Sequence, residues 1–194
     1  MVGAEPPRLR RPAVFLDRDG VINRSLVRNG RPYAPVALED FSILPGVPEA
    51  IEALRYAGYL LIIVTNQPDV GAGKQSRDIV EAMHRVIDDR LGINIFEVCY
   101  HVDGDNCLCR KPKPGMILNA ARAYEIALDR SWMIGDRWRD VAAGRAAGCR
   151  TVFLDYDYDE PKPQYCDVIV RSLAEAIPII LGQGCPSACG HSAD

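Results

Sequence analysis

The sequence predicts an α/β fold, a doubly wound parallel sheet with helices on both faces. Three observations carry this prediction. Short apolar runs alternate with segments of helical period along most of the chain. Residues 13–16 and 59–64 are apolar throughout, as strands covered on both faces are. Three of the helical patterns stop at a glycine, Gly58, Gly92 or Gly148, where a left-handed cap closes a helix. With 194 residues and 21.4 kDa, against about 150 residues per domain, the chain has room for one domain.

In order, residues 13–16 form the first strand, followed by polar, proline-broken sequence to Pro45. Residues 46–57 read as a helix with Val47, Ala50, Ile51 and Leu54 on one face, and residues 59–64 as the second strand. Residues 76–91 are helical, with Ser76 as the cap and Ile79, Val80, Met83, Val86 and Ile87 as the apolar stripe. A strand at 96–101, a helix at 116–127, a strand at 132–134 and a helix at 140–147 follow. Strands at 150–154 and 168–170 precede a last helix at 173–181, which Pro178 should break or bend. The domain therefore spans 13–181, between a flexible leader at 1–12 and a disordered tail at 182–194. No segment is long enough for a large cap domain.

Composition excludes several classes of function. A net charge of −3 and a pI near 5.7 give no nucleic-acid footprint. No apolar run approaches the roughly 20 residues that cross a bilayer. Arg8, Arg10 and Arg11 precede an apolar run too short for the about 7–15 residues of a secretion signal, so the expected location is the cytoplasm. Seven cysteines without an export signal argue for metal binding over a disulfide framework. Cys149 and Cys166 read as buried apolar thiols. Cys185, Cys189 and His191 lie in the tail, as a disordered end or a second metal site.

In wound parallel sheets, function sits at the carboxyl ends of the strands. The first strand ends in Asp17-Arg18-Asp19-Gly20, a solvated turn or a Mg²⁺ site. The second leads to Thr65-Asn66-Gln67, either helix-capping residues or an anion site. Cys109-Arg110-Lys111-Pro112-Lys113-Pro114-Gly115 puts cations before a helix N-terminus, as a solvated basic loop or a phosphate site. The strand at 132–134 leads to Gly135-Asp136-Arg137-Trp138-Arg139-Asp140; Asp136 suits the metal, and Asp140 a cap or an ion pair. Cys99, His101, Cys107 and Cys109 make a Cys₃His set suited to tetrahedral Zn²⁺, with Cys99 and His101 two apart on one strand face. Four protein ligands leave no open position, so this zinc would be structural.

The ordered set of acids, hydroxyl, cations and acids resembles the haloacid dehalogenase superfamily over residues 13–181. The Asp-Arg-Asp-Gly-Val-Ile-Asn, Thr-Asn-Gln, Cys-x-Cys-Arg-Lys-Pro-x-Pro-Gly and Gly-Asp-Arg segments resemble its histidinol-phosphatase-like branch. The resemblance implies a phosphatase in which Asp17 attacks phosphorus and Asp19 acts as acid and then base, which requires Asp19 to hold a proton at the outset. Asp17, Asp136 and the backbone carbonyl of Asp19 would hold Mg²⁺. Thr65, Asn66, Arg110 and Lys111 would bind phosphate or substrate, with Lys113 less fixed by the pattern and Asp140 behind them. Arg137 stands where a lysine is common in the branch. The implied substrate is a small phosphorylated metabolite, foremost the 7-phosphate of D-glycero-D-manno-heptose 1,7-bisphosphate. Histidinol phosphate or another small sugar phosphate is the alternative, with Asp69, Asp103 or Asp105 available to meet an amine. A monomer is expected. A response-regulator receiver would place its acidic pair after the first strand and its acceptor after the third, and a zinc-stabilised interaction module would not need these acids.

Overall fold

The computed structural model describes residues 10–182. In chain order its elements are β1 (Ala13–Leu16), β2 (Leu26–Arg28), β3 (Arg31–Tyr33), α1 (Val47–Tyr56), β4 (Leu60–Asn66), α2 (Pro68–Gly71), α3 (Arg77–Leu91) and β5 (Phe96–Cys99). They continue as α4 (Gly115–Ala123), β6 (Trp132–Gly135), α5 (Trp138–Ala147), β7 (Arg150–Leu154), β8 (Val168–Val170) and α6 (Leu173–Ile180). Six strands form one sheet in the order β5-β4-β1-β6-β7-β8, and every adjacent pair is parallel. This is the predicted wound sheet.

Alternation along the strands divides the interior into two cores. Val14 and Leu16 of β1, with Leu61 and Ile63 of β4, pack toward α1, α6 and the end of α3. Ala13 and Phe15, with Ile62 and Val64, turn to the other face and meet Met116, Ile117 and Ala120 of α4 and Ala143 and Ala147 of α5. That two-sided demand is why β1 is apolar at all four positions, each fully buried. From β1 the chain winds outward to β4 and β5, then returns to β1's other side for β6, β7 and β8. Loops after β4 and β6 therefore diverge around the end of β1, the place where such sheets open a crevice. Among the described residues no helix is long and apolar enough to cross a membrane.

Several expected boundaries change. The stretch to Pro45 contains a hairpin, with Leu26 opposite Tyr33 and Arg28 opposite Arg31. Its turn residues Asn29 and Gly30 have φ of 49° and 74°, the positive pair that a twisted two-residue hairpin requires. β5 ends at Cys99, so His101 lies beyond the strand. α4 stops at Ala123, and Glu125 takes a positive φ of 52°. α6 runs through Pro178, held by Leu173, Ala176, Ile177 and Ile180 in the core. Residues 10–12 are tied to the domain: the carbonyls of Arg11 and Pro12 accept from Ala127 and Leu60. Cys149 and Cys166 are buried as expected, and burial pushes the Cys149 thiol up to about 12. The tail cysteines and His191 lie outside the described residues.

His84 of α3 is buried, its ring stacked 4.5 Å from that of Phe96, and its Nε2 has no hydrogen-bond partner. Burial, reinforced by the Arg18 charge, pushes its pKa down to about 4. The unfolded chain then binds the extra proton at any pH between about 6.5 and 4. The neutral ring costs nothing above pH 6.5, stability falls as pH drops toward 4, and this group adds no further loss below that. Urea unfolding from pH 7 to 4 should show wild type losing about 3 kcal/mol more than His84→Phe.

Candidate active site

Around the end of β1 the strand termini enclose an open cavity of about 410 Å³. Its wall includes Asp17, Asp19, Asn66, Arg110, Lys111, Asp136 and Asp140. The parallel register delivers them together, because Leu16 pairs with Ile63 on one side and Ile134 on the other. Asp17 extends the ladder by one bond, donating its N–H to the Ile134 carbonyl at 2.9 Å.

The deepest group is the Lys111 ammonium. It donates to Asp17 Oδ1 at 2.8 Å, to the Val64 carbonyl at 2.8 Å and to Asp140 Oδ1 at 2.6 Å. Those three acceptors use all three ammonium hydrogens. Burial alone would lower the Lys111 pKa, but Asp140 and Asp17 overcome it and raise the value. Asp140 also accepts from the Arg137 backbone N–H at 3.0 Å, closing the start of α5. Of the two roles open for Asp140, a cap or a pair with an arginine, the cap is seen, and the ion pair is made with Lys111 instead of an arginine.

Asp136 has neither compensation. Both carboxylate oxygens are buried with no ion pair among the described residues, and the neighbouring Tyr158 and Arg137 only partly ease the charge. One oxygen each from Asp17, Asp136 and Asp140 lies within 4.8 Å of the others. Burial raises Asp17 to about 7, with the neighbouring carboxylates adding to the rise and Lys111 opposing it. Burial and the charges of Asp17 and Asp140 raise Asp136 well above the carboxylate range. An orphaned buried carboxylate among others, all hard oxygen donors, fits a small divalent cation such as Mg²⁺.

Two glycines make this crowding possible. A Cβ on Gly20 would stand 1.9 Å from Asp136 Oδ2, and its φ of +89° is in the left-handed region. A Cβ on Gly135 would stand 2.1 Å from that of Asp140.

Asp19 faces a different set. Its carboxylate accepts from Arg18 (3.0 Å from Nη2 to each oxygen), from Asn23 Nδ2 at 2.9 Å and from Gln67 Nε2 at 2.8 Å. Thr65 is 1% exposed and does not line the cavity; its hydroxyl accepts from Gln67 at 2.9 Å. Asn66 trades two 3.1 Å bonds with the Lys111 backbone, so it holds the loop that carries the ammonium. Lys113 turns away, bonding Asn106 and the Cys107 carbonyl.

That loop is anchored by sulfur. Cys99, Cys107 and Cys109 Sγ and His101 Nδ1 converge, with separations from 3.3 to 3.7 Å and no disulfide. Zn–S bonds of about 2.3 Å place tetrahedral ligands roughly 3.8 Å apart, so the set fits one zinc ion. The chain beyond β5, and not a shared strand face, brings His101 in.

The mouth contains residues that spacing did not single out. Arg31, Pro32 and Tyr33 come from the hairpin, and Arg139 and Glu160 complete the wall with Asp69. Asn29-Gly30 was the available signal for the hairpin. Glu160 reaches back from the β7–β8 loop to pair with Arg137, and Arg110 pairs with Asp103 at 2.5 Å. Arg31 and Arg139 make no ion pair among the described residues, although Arg139 stacks over Trp138. Asp105 caps the Val102 N–H at 2.9 Å.

A family model described as haloacid dehalogenase-like hydrolase matches residues 13–148. The D-glycero-beta-D-manno-heptose-1,7-bisphosphate 7-phosphatase of Rhodopseudomonas palustris is 42% identical over 151 residues, 72% of this chain and 81% of that one. The protein of the same name from Helicobacter pylori strain J99 is 38% identical over 148 residues, 73% of this chain and 82% of its own. Among solved structures, a D,D-heptose 1,7-bisphosphate phosphatase from B. bronchiseptica, complexed with magnesium and phosphate, superimposes with a TM-score of 0.73. It is 26% identical, and the match covers 89% of this chain and 99% of that one.

Replacing Lys111 by Met would leave Asp17 and Asp140 buried without their counter-charge. Denaturant unfolding at pH 8 should show a loss of about 3–5 kcal/mol. The loss should shrink as pH falls, because the stranded carboxyls can then take up protons.

Proposed function

Since the chain belongs to the haloacid dehalogenase-like hydrolases, we propose that it is a phosphomonoester hydrolase that removes the 7-phosphate of D-glycero-β-D-manno-heptose 1,7-bisphosphate. The observation that carries this reading is the pairing of two anion-seeking regions in one cavity. Deep in it, Lys111 and a Mg²⁺ that Asp17 and Asp136 would hold can take one phosphate. At the mouth stand Arg31 and Arg139, without an ion pair among the described residues, beside Arg110 and Arg137, which pair with Asp103 and Glu160. A bisphosphate presents one phosphate to each.

In this mechanism an oxygen of Asp17 attacks phosphorus, and the bond from phosphorus to the sugar oxygen breaks. Asp19 gives its proton to the departing sugar oxygen. A water then attacks the aspartyl phosphate, passing its proton to Asp19 and releasing inorganic phosphate and Asp17. Mg²⁺, held by Asp17, Asp136 and the Asp19 carbonyl, would neutralise the charge of phosphate and nucleophile. Lys111 binds a phosphoryl oxygen by exchanging one of its three bonds. Thr65, buried behind the cavity wall, accepts from Gln67 and backs the phosphate site from there. Arg110 contacts the rest of the substrate.

Histidinol phosphate fits less well. Its amine would enter a mouth with four guanidinium groups, while Asp103 is engaged by Arg110 and Asp105 by a backbone N–H. Asp69 is left to meet it.

Phosphate release with Mg²⁺ should be fastest from the β anomer of the heptose bisphosphate and should vanish in a folded Asp17→Asn variant. Arg31→Ala should raise KM for the bisphosphate about 10–100-fold, the worth of one charge-assisted bond, and affect heptose 7-phosphate much less. A higher kcat/KM for histidinol phosphate would reject the substrate assignment.

The Cys₃His cluster is read as a structural zinc site that fixes the loop leading to Arg110 and Lys111. Metal analysis should find about one zinc per chain in wild type and a clear loss in Cys107→Ser, with a lower Tm in the variant. A zinc-free wild type after growth in zinc would reject this reading.

A further inference from the structure

Gln67 belongs to no step of the reaction described above, yet it is 1% exposed and sits between two of the groups that do. Its side-chain nitrogen lies 2.8 Å from Asp19 Oδ2 and 2.9 Å from Thr65 Oγ1. Asp19 Oδ2 and Thr65 Oγ1 both accept from this nitrogen, so the two amide hydrogens are spent and the other Asp19 oxygen is left to carry the proton of the acid step. The remaining donors to Asp19, Arg18 and Asn23, lie one and four residues away in the same turn. Gln67 alone among them comes from another strand end, 48 residues on. Its own backbone is fixed as well, with its N–H donating to the Cys99 carbonyl at 2.7 Å.

We infer that Gln67 is a positioning residue that aims the Asp19 carboxylate from the end of β4, tying the proton-transfer group to the strand end that receives the phosphate. The inference rests on the reading of Asp19 as acid and base. The turn that carries Asp19 is bonded mainly within itself, through Gly20, Ile22 and Asn23, and Gln67 adds a side-chain tether to a neighbouring strand end. Proton transfer to a sugar oxygen demands such control, since misplacement by about 1 Å can cost on the order of a hundredfold. The tether also sets Thr65. Because its oxygen accepts from Gln67, its own hydrogen is directed elsewhere.

The leaving group distinguishes aiming from mere support. A sugar alkoxide needs a proton as it departs, whereas p-nitrophenolate does not, and kcat/KM reports the step in which it leaves. The variant is Gln67→Met, which keeps the buried length and removes the donors, with Gln67→Glu as a second variant that sets an acceptor against Asp19. Folding is checked by thermal unfolding, and Asp19→Asn is the control. The expected result is a 10–100-fold fall in kcat/KM for the heptose bisphosphate and a change under about threefold for p-nitrophenyl phosphate, in the same sense as Asp19→Asn but smaller. Equal losses with both substrates, or no loss with either, would overturn the role of Gln67 while Asp19→Asn keeps its selectivity. If Asp19→Asn shows no dependence on the leaving group, the acid-base assignment itself fails, and the inference with it.

Discussion

The ammonium of Lys111 is the constraint around which the rest is arranged. Its three bonds join Asp17 at the end of β1, Val64 in β4 and Asp140 in α5, and the lysine itself arrives on the loop before α4. Four separate segments of chain are thereby registered on one atom. A buried charge of this kind is stable only when every hydrogen is answered, and here every one is. The ion group is not balanced, however. Asp136 stands beside it without an ion pair among the described residues, so full ionisation of the three carboxyls would leave the centre short of positive charge. Burial, with the neighbouring carboxylates adding to it, raises the proton affinity of Asp17 and Asp136, and a divalent cation would fit among these oxygens.

Around this centre the two sides are held by different means. Toward β5, the Cys₃His cluster, the Asn66 amide and the buried Gln67 brace the Lys111 loop and Asp19 through part-buried side-chain bonds. Toward solvent, the hairpin and the β7–β8 loop lean on each other through the Asp159 N–H and the Gly30 carbonyl at 2.8 Å. Chemistry needs fixed atoms and substrate entry needs a mouth, and the two demands fall on different elements. Among the described residues, arginine side chains from several elements line the rim of an open cavity of about 410 Å³.

Asp17, Asp19, Asp136, Lys111 and the Cys₃His set are legible because each lies within a few residues of a strand end or in a tight motif. A parallel sheet brings such ends together whatever the details of the loops. Thr65 and Asn66 were legible as polar residues at the right place but not in their bonds, since both spend hydrogen bonds on neighbouring protein groups. Arg31 was readable in part: Asn29-Gly30 marks a hairpin, although the surrounding prolines and polar residues mask the two short strands. Arg139 and Glu160 were not readable as part of the mouth. Arg139 lies in the segment 135–140 without a role assigned to it, and Glu160 lies in no motif, reaching Arg137 across 23 residues of chain.

By itself the sequence determined the alternation of doubly buried strands with amphipathic helices, and with it the wound parallel sheet and the strand ends at which function must lie. It also determined which chemical groups are available there, because apolar periodicity and short motifs are local properties. Only the tertiary structure decided how those groups are paired: that Lys111 answers both Asp17 and Asp140, that Asp136 is left unanswered, that Gln67 reaches Asp19, and that four arginines share one mouth. Pairing is set by distances of about 3 Å between atoms far apart in the chain, and those distances exist only once the sheet has closed its register.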